Sequence, residues 1–192
     1  NLSGNCSTRI NLTSLGTTGN YTLTNLGSHY KIGGTASQFG GMNYSNVTVF
    51  MIEDVGCEAD VLHDLTLSAD LSCNTTSFAL NVLADNITIN FAGYSLIGNY
   101  TGTGINVSNR LNVKILNAQI LNFSTGIYVG ENASGINISN SNITGSTTGL
   151  EFNEVNNSFV VSNHFYNNTY GLKMSISQNN TIYNNFFNNT NN

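Results

Sequence analysis

Charge is what this sequence has least of. Five basic and ten acidic residues in 192 leave 8% charged side chains and a formal net charge of -5. Solubility therefore falls to Asn, Ser, Thr and Gly, an unusual arrangement for a cytosolic protein. Five cations form no basic stripe, which excludes nucleic acid and anionic membrane surfaces as expected partners. No apolar run approaches the roughly 18 residues that a membrane-spanning helix needs, and no signal peptide is visible. The chain opens on Asn1 rather than Met, as a processed mature protein or a piece of a longer one would. Acidic catalytic groups are scarce as well. After Asp85 no Asp follows, and Glu131, Glu151, Glu154, Arg110, Lys114 and Lys173 are the charged residues left in the second half. Glycan lyases and hydrolases need clustered carboxylates or a basic proton acceptor, so the expectation is a protein that is not an enzyme, with no catalytic residues. His29, His63 and His164 share no spacing with one another or with Cys, and Glu131 and Glu154 alone are too few oxygen ligands for a hard cation. No metal and no cofactor are expected.

What is present is regular. Apolar residues make up 40% of the chain, spaced as in packed strands rather than in a disordered segment. Gly104-Ile105, Gly126-Ile127, Gly149-Leu150 and Gly171-Leu172 recur at intervals of 22, 23 and 22 residues, and each Gly is followed by apolar residues one and three positions later. Period two denotes a strand. A second strand follows in each unit: Val113 and Ile115, Ile136 and Ile138, Phe159 and Val161, then Asn180 and Ile182. Beyond these lie Asn117, Asn140, Asn163 and Asn184, and three residues further on Ile120, Ile143, Tyr166 and Phe187. Stacked coils would set the four asparagines in one inward column, each amide bonding the next. None of the four lies in a glycosylation sequon. The period is too long for hexapeptide helices and lacks helical-repeat signatures. The expected fold is all-β, a right-handed parallel β-helix of about 22–23-residue coils over 57–192. Residues 1–56 are expected to form a β-rich N-terminal arm or cap, or else two irregular leading coils, with strands at Tyr21–Leu26 and Val47–Ile52 and with Gly33-Gly34 and Gly40-Gly41 punctuating the stretch between them.

Composition from Asn, Ser and Thr alone would give about seven Asn-x-Ser/Thr sequons; the chain has 18. They include Asn1, Asn11, Asn20, Asn46, Asn74, Asn86, Asn99, Asn106, Asn122, Asn132, Asn137, Asn142, Asn167 and Asn179. This excess implies export to the cell surface or medium and covalent N-glycans as partners. Glu151 and Lys173, in an outward column with Asn106 and Tyr128, are expected to form a cross-strand ion pair.

The segments Cys57-Glu-Ala-Asp-Val-Leu-His-Asp-Leu-Thr-Leu-Ser-Ala-Asp-Leu-Ser-Cys73 and Asp85-Asn-Ile-Thr-Ile-Asn-Phe-Ala-Gly-Tyr-Ser-Leu-Ile-Gly98 resemble the opening coils of NosD-type β-helix proteins. These carry the carbohydrate-binding and sugar-hydrolysis repeats of archaeal and bacterial surface proteins. The resemblance covers about 57–192 and implies the β-helix and a Cys57–Cys73 disulfide, since the family often carries cysteines there. Cys6 is then free, bonded to another subunit, or paired within the chain in place of one of the others. The fold itself hosts many activities. The expected function is an extracellular structural glycoprotein. Copies of itself would join head to tail into a filament, sheath or surface layer, one copy's open C-terminal coil meeting the next copy's N-terminal arm. The alternatives are a carbohydrate-binding or carbohydrate-cleaving β-helix and an adhesin fragment.

Overall fold

A computed structural model describes the backbone of four N-terminal strands, 18–23, 30–39, 43–44 and 48–53, and all of residues 55–191. The chain divides into two compact units, Asn1–Asp54 and Val55–Asn192.

In the first unit, β2 (Tyr30–Phe39) pairs antiparallel with β1 (Thr18–Leu23), β3 (Asn43–Tyr44) and β4 (Thr48–Glu53). Gly33 and Gly34 do not punctuate a loop. They sit inside β2, opposite Thr22 and Tyr21 on one side and Phe50 and Val49 on the other. Antiparallel pairing of sequence neighbours differs from the parallel stacking that follows.

The second unit is a parallel β-helix of six coils with three strands per coil and no helix among the described residues. One sheet stacks β5 (Ala59–Val61), β8 (Phe78–Val82), β11 (Thr103–Ser108), β14 (Thr125–Gly130), β17 (Thr148–Asn153) and β20 (Tyr170–Ser175). A second stacks β6 (Leu65–Thr66), β9 (Thr88–Asn90), β12 (Lys114–Leu116), β15 (Asn137–Ser139), β18 (Phe159–Val161) and β21 (Thr181–Tyr183). The third stacks β7 (Leu71–Ser72), β10 (Ser95–Ile97), β13 (Gln119–Leu121), β16 (Asn142–Thr144), β19 (His164–Tyr166) and β22 (Phe186–Asn188). Neighbouring coils are offset by 22 or 23 residues from β11 onward and by 21 to 26 in the leading coils.

Alternation decides what goes inside. Ile105, Ile127 and Leu150 stack in one fully buried column, Val107, Val129 and Phe152 in another, and Ile115, Ile138 and Val160 in a third. Each such side chain contributes about 1.5–3 kcal/mol of burial. The recurring glycines have a steric cause. A Cβ on Gly104, Gly126 or Gly149 would lie 2.5, 2.6 or 2.7 Å from the carbonyl oxygen of the corresponding Gly in the next coil, closer than any side chain tolerates.

One coil departs from the sequence expectation. Phe159 and Val161 point outward, and the inward pair is Ser158 and Val160; likewise Phe165, not Tyr166, stacks under Ile143. The cause is a single residue in the turn after the long strand. Glu131 and Asn132 both take left-handed φ there, whereas the next coil has only Glu154. The offset therefore falls from 23 at Gly130–Asn153 to 22 at the Ser134–Asn156 bridge. With a side-chain period of two, a one-residue slip exchanges every inward and outward position that follows.

Candidate functional site

The turns carry two kinds of polar residue, and adjacent positions divide the work. The first residue of each pair takes left-handed φ and faces out. Asn112, Gly135, Asn157 and Asn179 form one such column, and Asn117, Asn140, Ser162 and Asn184 another, with φ between 52° and 69°. Asn reaches this region more readily than other residues with a Cβ. The second residue points inward and bonds the neighbouring coil. At the turn between β15 and β16, Ser141 Oγ accepts from the Ala118 N–H at 3.0 Å, and Asn163 Oδ1 accepts from the Ser141 N–H at 3.0 Å. Asn185 Oδ1 accepts both the backbone and the side-chain N–H of Asn163, at 2.9 and 3.0 Å. At the turn leading into β17, Ser146 serves Phe123, Asn168 serves Ser146 and Asn189 serves Asn168. At the turn before β15, Ser158 serves Ile136 and Asn180 serves Ser158. Each inward Asn also donates Nδ2 to a carbonyl of the preceding coil, such as Asn163 to Ile138 and Asn168 to Ile143.

The expected ladder is therefore real in kind and displaced in register. Asn163 is buried inside it, but Asn117, Asn140 and Asn184 are exposed in the left-handed column. The inward partner of Asn163 is Asn185. The signal that marks the rungs is the doublet: Asn167-Asn168, Asn179-Asn180 and Asn184-Asn185 each place one Asn outside and the next one inside.

The last coil ends all three sheets, since β20, β21 and β22 are edge strands. One coil earlier Leu150, Phe152, Val160 and Phe165 are fully buried; their successors Met174 and Ile182 are 41% and 37% exposed, and Leu172 and Phe187 are only partly covered. Phe187 stacks on Phe165 with centroids 5.0 Å apart. Asn180, Asn185 and Asn189 are the terminal rungs. Asn191 forms a parallel bridge to Tyr170, and its carbonyl accepts from the Gly171 N–H at 2.9 Å, so the chain enters a seventh long-strand position there. These edge strands are thus apolar in the middle and amide-lined at their turns.

Cys57 and Cys73 are disulfide-bonded, closing the first coil; Cys6 lies outside the described residues. Glu131 and Glu154 occupy one turn column, and no cluster of three or more potential metal ligands occurs among the described residues. Glu151 and Lys173 are register partners as expected, yet the Lys173 ammonium lies 4.2 Å from the centroid of the Tyr170 ring, a cation–π contact rather than an ion pair with Glu151. Arg110 and Asp85 form an ion pair at 3.9 Å. His63 and His164 belong to different coils, and the His164 ring packs at 5.6 Å from that of Phe186; His29 lies outside the described residues.

The sequons fall into two settings. Asn1, Asn11 and Asn46 are outside the described residues, and only the backbone of Asn20 is described, in β1. Asn74, Asn86, Asn99, Asn132, Asn167 and Asn179 are exposed and Asn122 is half-buried, all in turns; Asn106, Asn137 and Asn142 lie within strands and are buried or half-buried. Strand alternation itself writes such sequons, because Asn137-Ile138-Ser139 is one inward Ile between two outward polar residues.

A model of the right-handed β-helix region matches residues 71–192. Searches of curated proteins and of solved structures return no match. A family match over more than half the chain, on residues that form parallel coils with inward ladders, establishes that this chain belongs to the right-handed β-helix family.

Proposed function

We propose that this chain is an extracellular structural glycoprotein whose copies join through β contacts at the last coil of the helix. The observation that carries the reading is the excess of sequons on a solenoid of stacked parallel strands, a fold whose ladders extend by adding further strands. A strand from a second copy would cover the apolar centre and pair the edge backbone, and a head-to-tail contact of this kind propagates instead of closing. The disulfide and the sequon excess support export. The likeness of 57–98 to NosD-type opening coils supports a cell-surface setting. Scarcity of carboxylates beyond Asp85 supports a role without catalysis. Electron microscopy of the purified full chain, with sedimentation across a concentration series, tests the reading. Regular polymers are expected, and a monomer at all concentrations refutes assembly.

One observation favours carbohydrate binding as a second reading. A shallow notch of about 420 Å³ is lined by Thr76, Ser77, Phe78, Gly102, Thr103 and Ser124, setting four hydroxyls beside an exposed ring. A glycan array that responds to the wild type but not to Phe78→Ala would support it; no response from either removes it.

A further inference from the structure

We infer that N-glycans attach at Asn74, Asn86, Asn132, Asn167 and Asn179, the exposed turn sequons, and not at the strand sequons Asn106, Asn137 and Asn142. This assignment rests on the reading of the chain as an exported glycoprotein and specifies where its sugar goes. Glycan transfer joins the anomeric carbon of a lipid-diphosphate-linked oligosaccharide to the amide Nδ2. The anomeric C–O bond breaks, the lipid diphosphate leaves with its bonding electrons, and the amide gives up one proton to the transferase. What a site must offer is therefore an Nδ2 that is reachable and has no bond to lose, with space beyond it for a bulky substituent.

The five turn sequons meet that requirement. All are exposed. Asn86, Asn132, Asn167 and Asn179 have left-handed φ, which carries the side chain off the corner of the coil. Asn74 and Asn86 use only their acceptor oxygen, taken by Asn99 and Asn112 of the next coil, and a glycosylated amide keeps that oxygen. The strand sequons fail on the same terms. Asn106 is 7% exposed, donates Nδ2 to Asn81 at 2.8 Å and accepts from Ser108. Asn142 donates Nδ2 to Gln119 at 2.9 Å. The Asn137 carboxamide oxygen is buried without a partner, and Lys114 and Phe159 flank Asn137 in register on the adjoining strands. Asn99 and Asn122 fall outside the set, because their side chains lie along the turn columns, the first donating to Asn74 and the second against Gly145.

Intact-glycopeptide mass spectrometry of the exported full chain, cut with chymotrypsin because Lys and Arg are few, reads every site without a variant. The expected result is a glycan mass on the five turn peptides and bare peptides for Asn106, Asn137 and Asn142. Glycan on the strand sequons, or on other sites with the five bare, overturns the assignment while leaving the glycoprotein reading standing. A protein bare at every sequon overturns both.

Discussion

At the scale of single residues, asparagine holds two unlike positions in the same turn, and the two should respond differently to replacement. Asn163 is fully buried; its oxygen serves the Ser141 N–H, and its nitrogen serves the Ile138 carbonyl and Asn185. Asn163→Leu would strand the Ser141 and Ile138 groups inside the coil at about 1–3 kcal/mol each. Asn140 is exposed with φ of 52°, so Asn140→Leu should cost about 1–2 kcal/mol for holding a branched residue left-handed, and Asn140→Gly close to nothing. Urea unfolding of the three variants checks the division. An Asn140→Leu midpoint as low as that of Asn163→Leu would contradict it. Residue-level chemistry also explains why Asn content misleads. Left-handed turns and inward rungs both demand Asn, and outward alternation sets hydroxyls two residues away, so part of the sequon excess is a by-product of the fold.

At the scale of elements, the coil is the unit of stability, because each coil contacts only its neighbours. The Cys57–Cys73 bridge closes the first coil over a separation of 16 residues, and a loop of about that length is worth about 3 kcal/mol in the chain-entropy account. Cys57→Ser with Cys73→Ser should therefore loosen β5, β6 and β7 and leave β14 and β17 as they were. Hydrogen exchange resolves this, and uniform loss of protection over all six coils would argue against it. The same modularity made most of the architecture readable in sequence. Gly104, Gly126, Gly149 and Gly171 mark one sheet, and from them the columns of Ile105 and Val107 follow by alternation alone. Reading failed where one turn changed length. Asn132 has no counterpart beside Glu154, so a fixed interval of 23 residues assigns Phe159, Val161 and Tyr166 to the inside when each faces out, and puts the buried Asn163 in one column with the exposed Asn117 and Asn140. Turn length has no hydrophobic signature of its own; the signal lay in Asn-Asn doublets whose second member bonds across coils. The leading coils were legible as a resemblance rather than as a repeat, since their offsets range from 21 to 26.

At the scale of the whole molecule, the inside of the helix changes character along its axis, and that gradient bears on how copies would join. The turn rungs are apolar at Ala118, Phe123 and Ile136, hydroxyl at Ser141, Ser146 and Ser158, and amide at Asn163, Asn168 and Asn180. Polar rungs accumulate toward β20, β21 and β22, the edge strands of the three sheets. In the proposed assembly, a face of that composition would hold an incoming strand by backbone pairing and by a modest apolar centre, of which Met174 and Ile182 would supply much. Replacing both with Glu should cost the separate copy little, because each is already more than a third exposed and surface changes usually stay within about 0.5 kcal/mol. In a joined pair the same two carboxylates would be buried without partners, which costs several kcal/mol. The double variant should therefore keep its unfolding midpoint and lose its polymers under the electron microscope. Deleting residues 1–30 separates the two sides of the contact: a folded monomer places the donated strand in the N-terminal unit, and polymers that persist place it elsewhere. Polymers that survive Met174→Glu with Ile182→Glu would remove the last coil from the contact altogether.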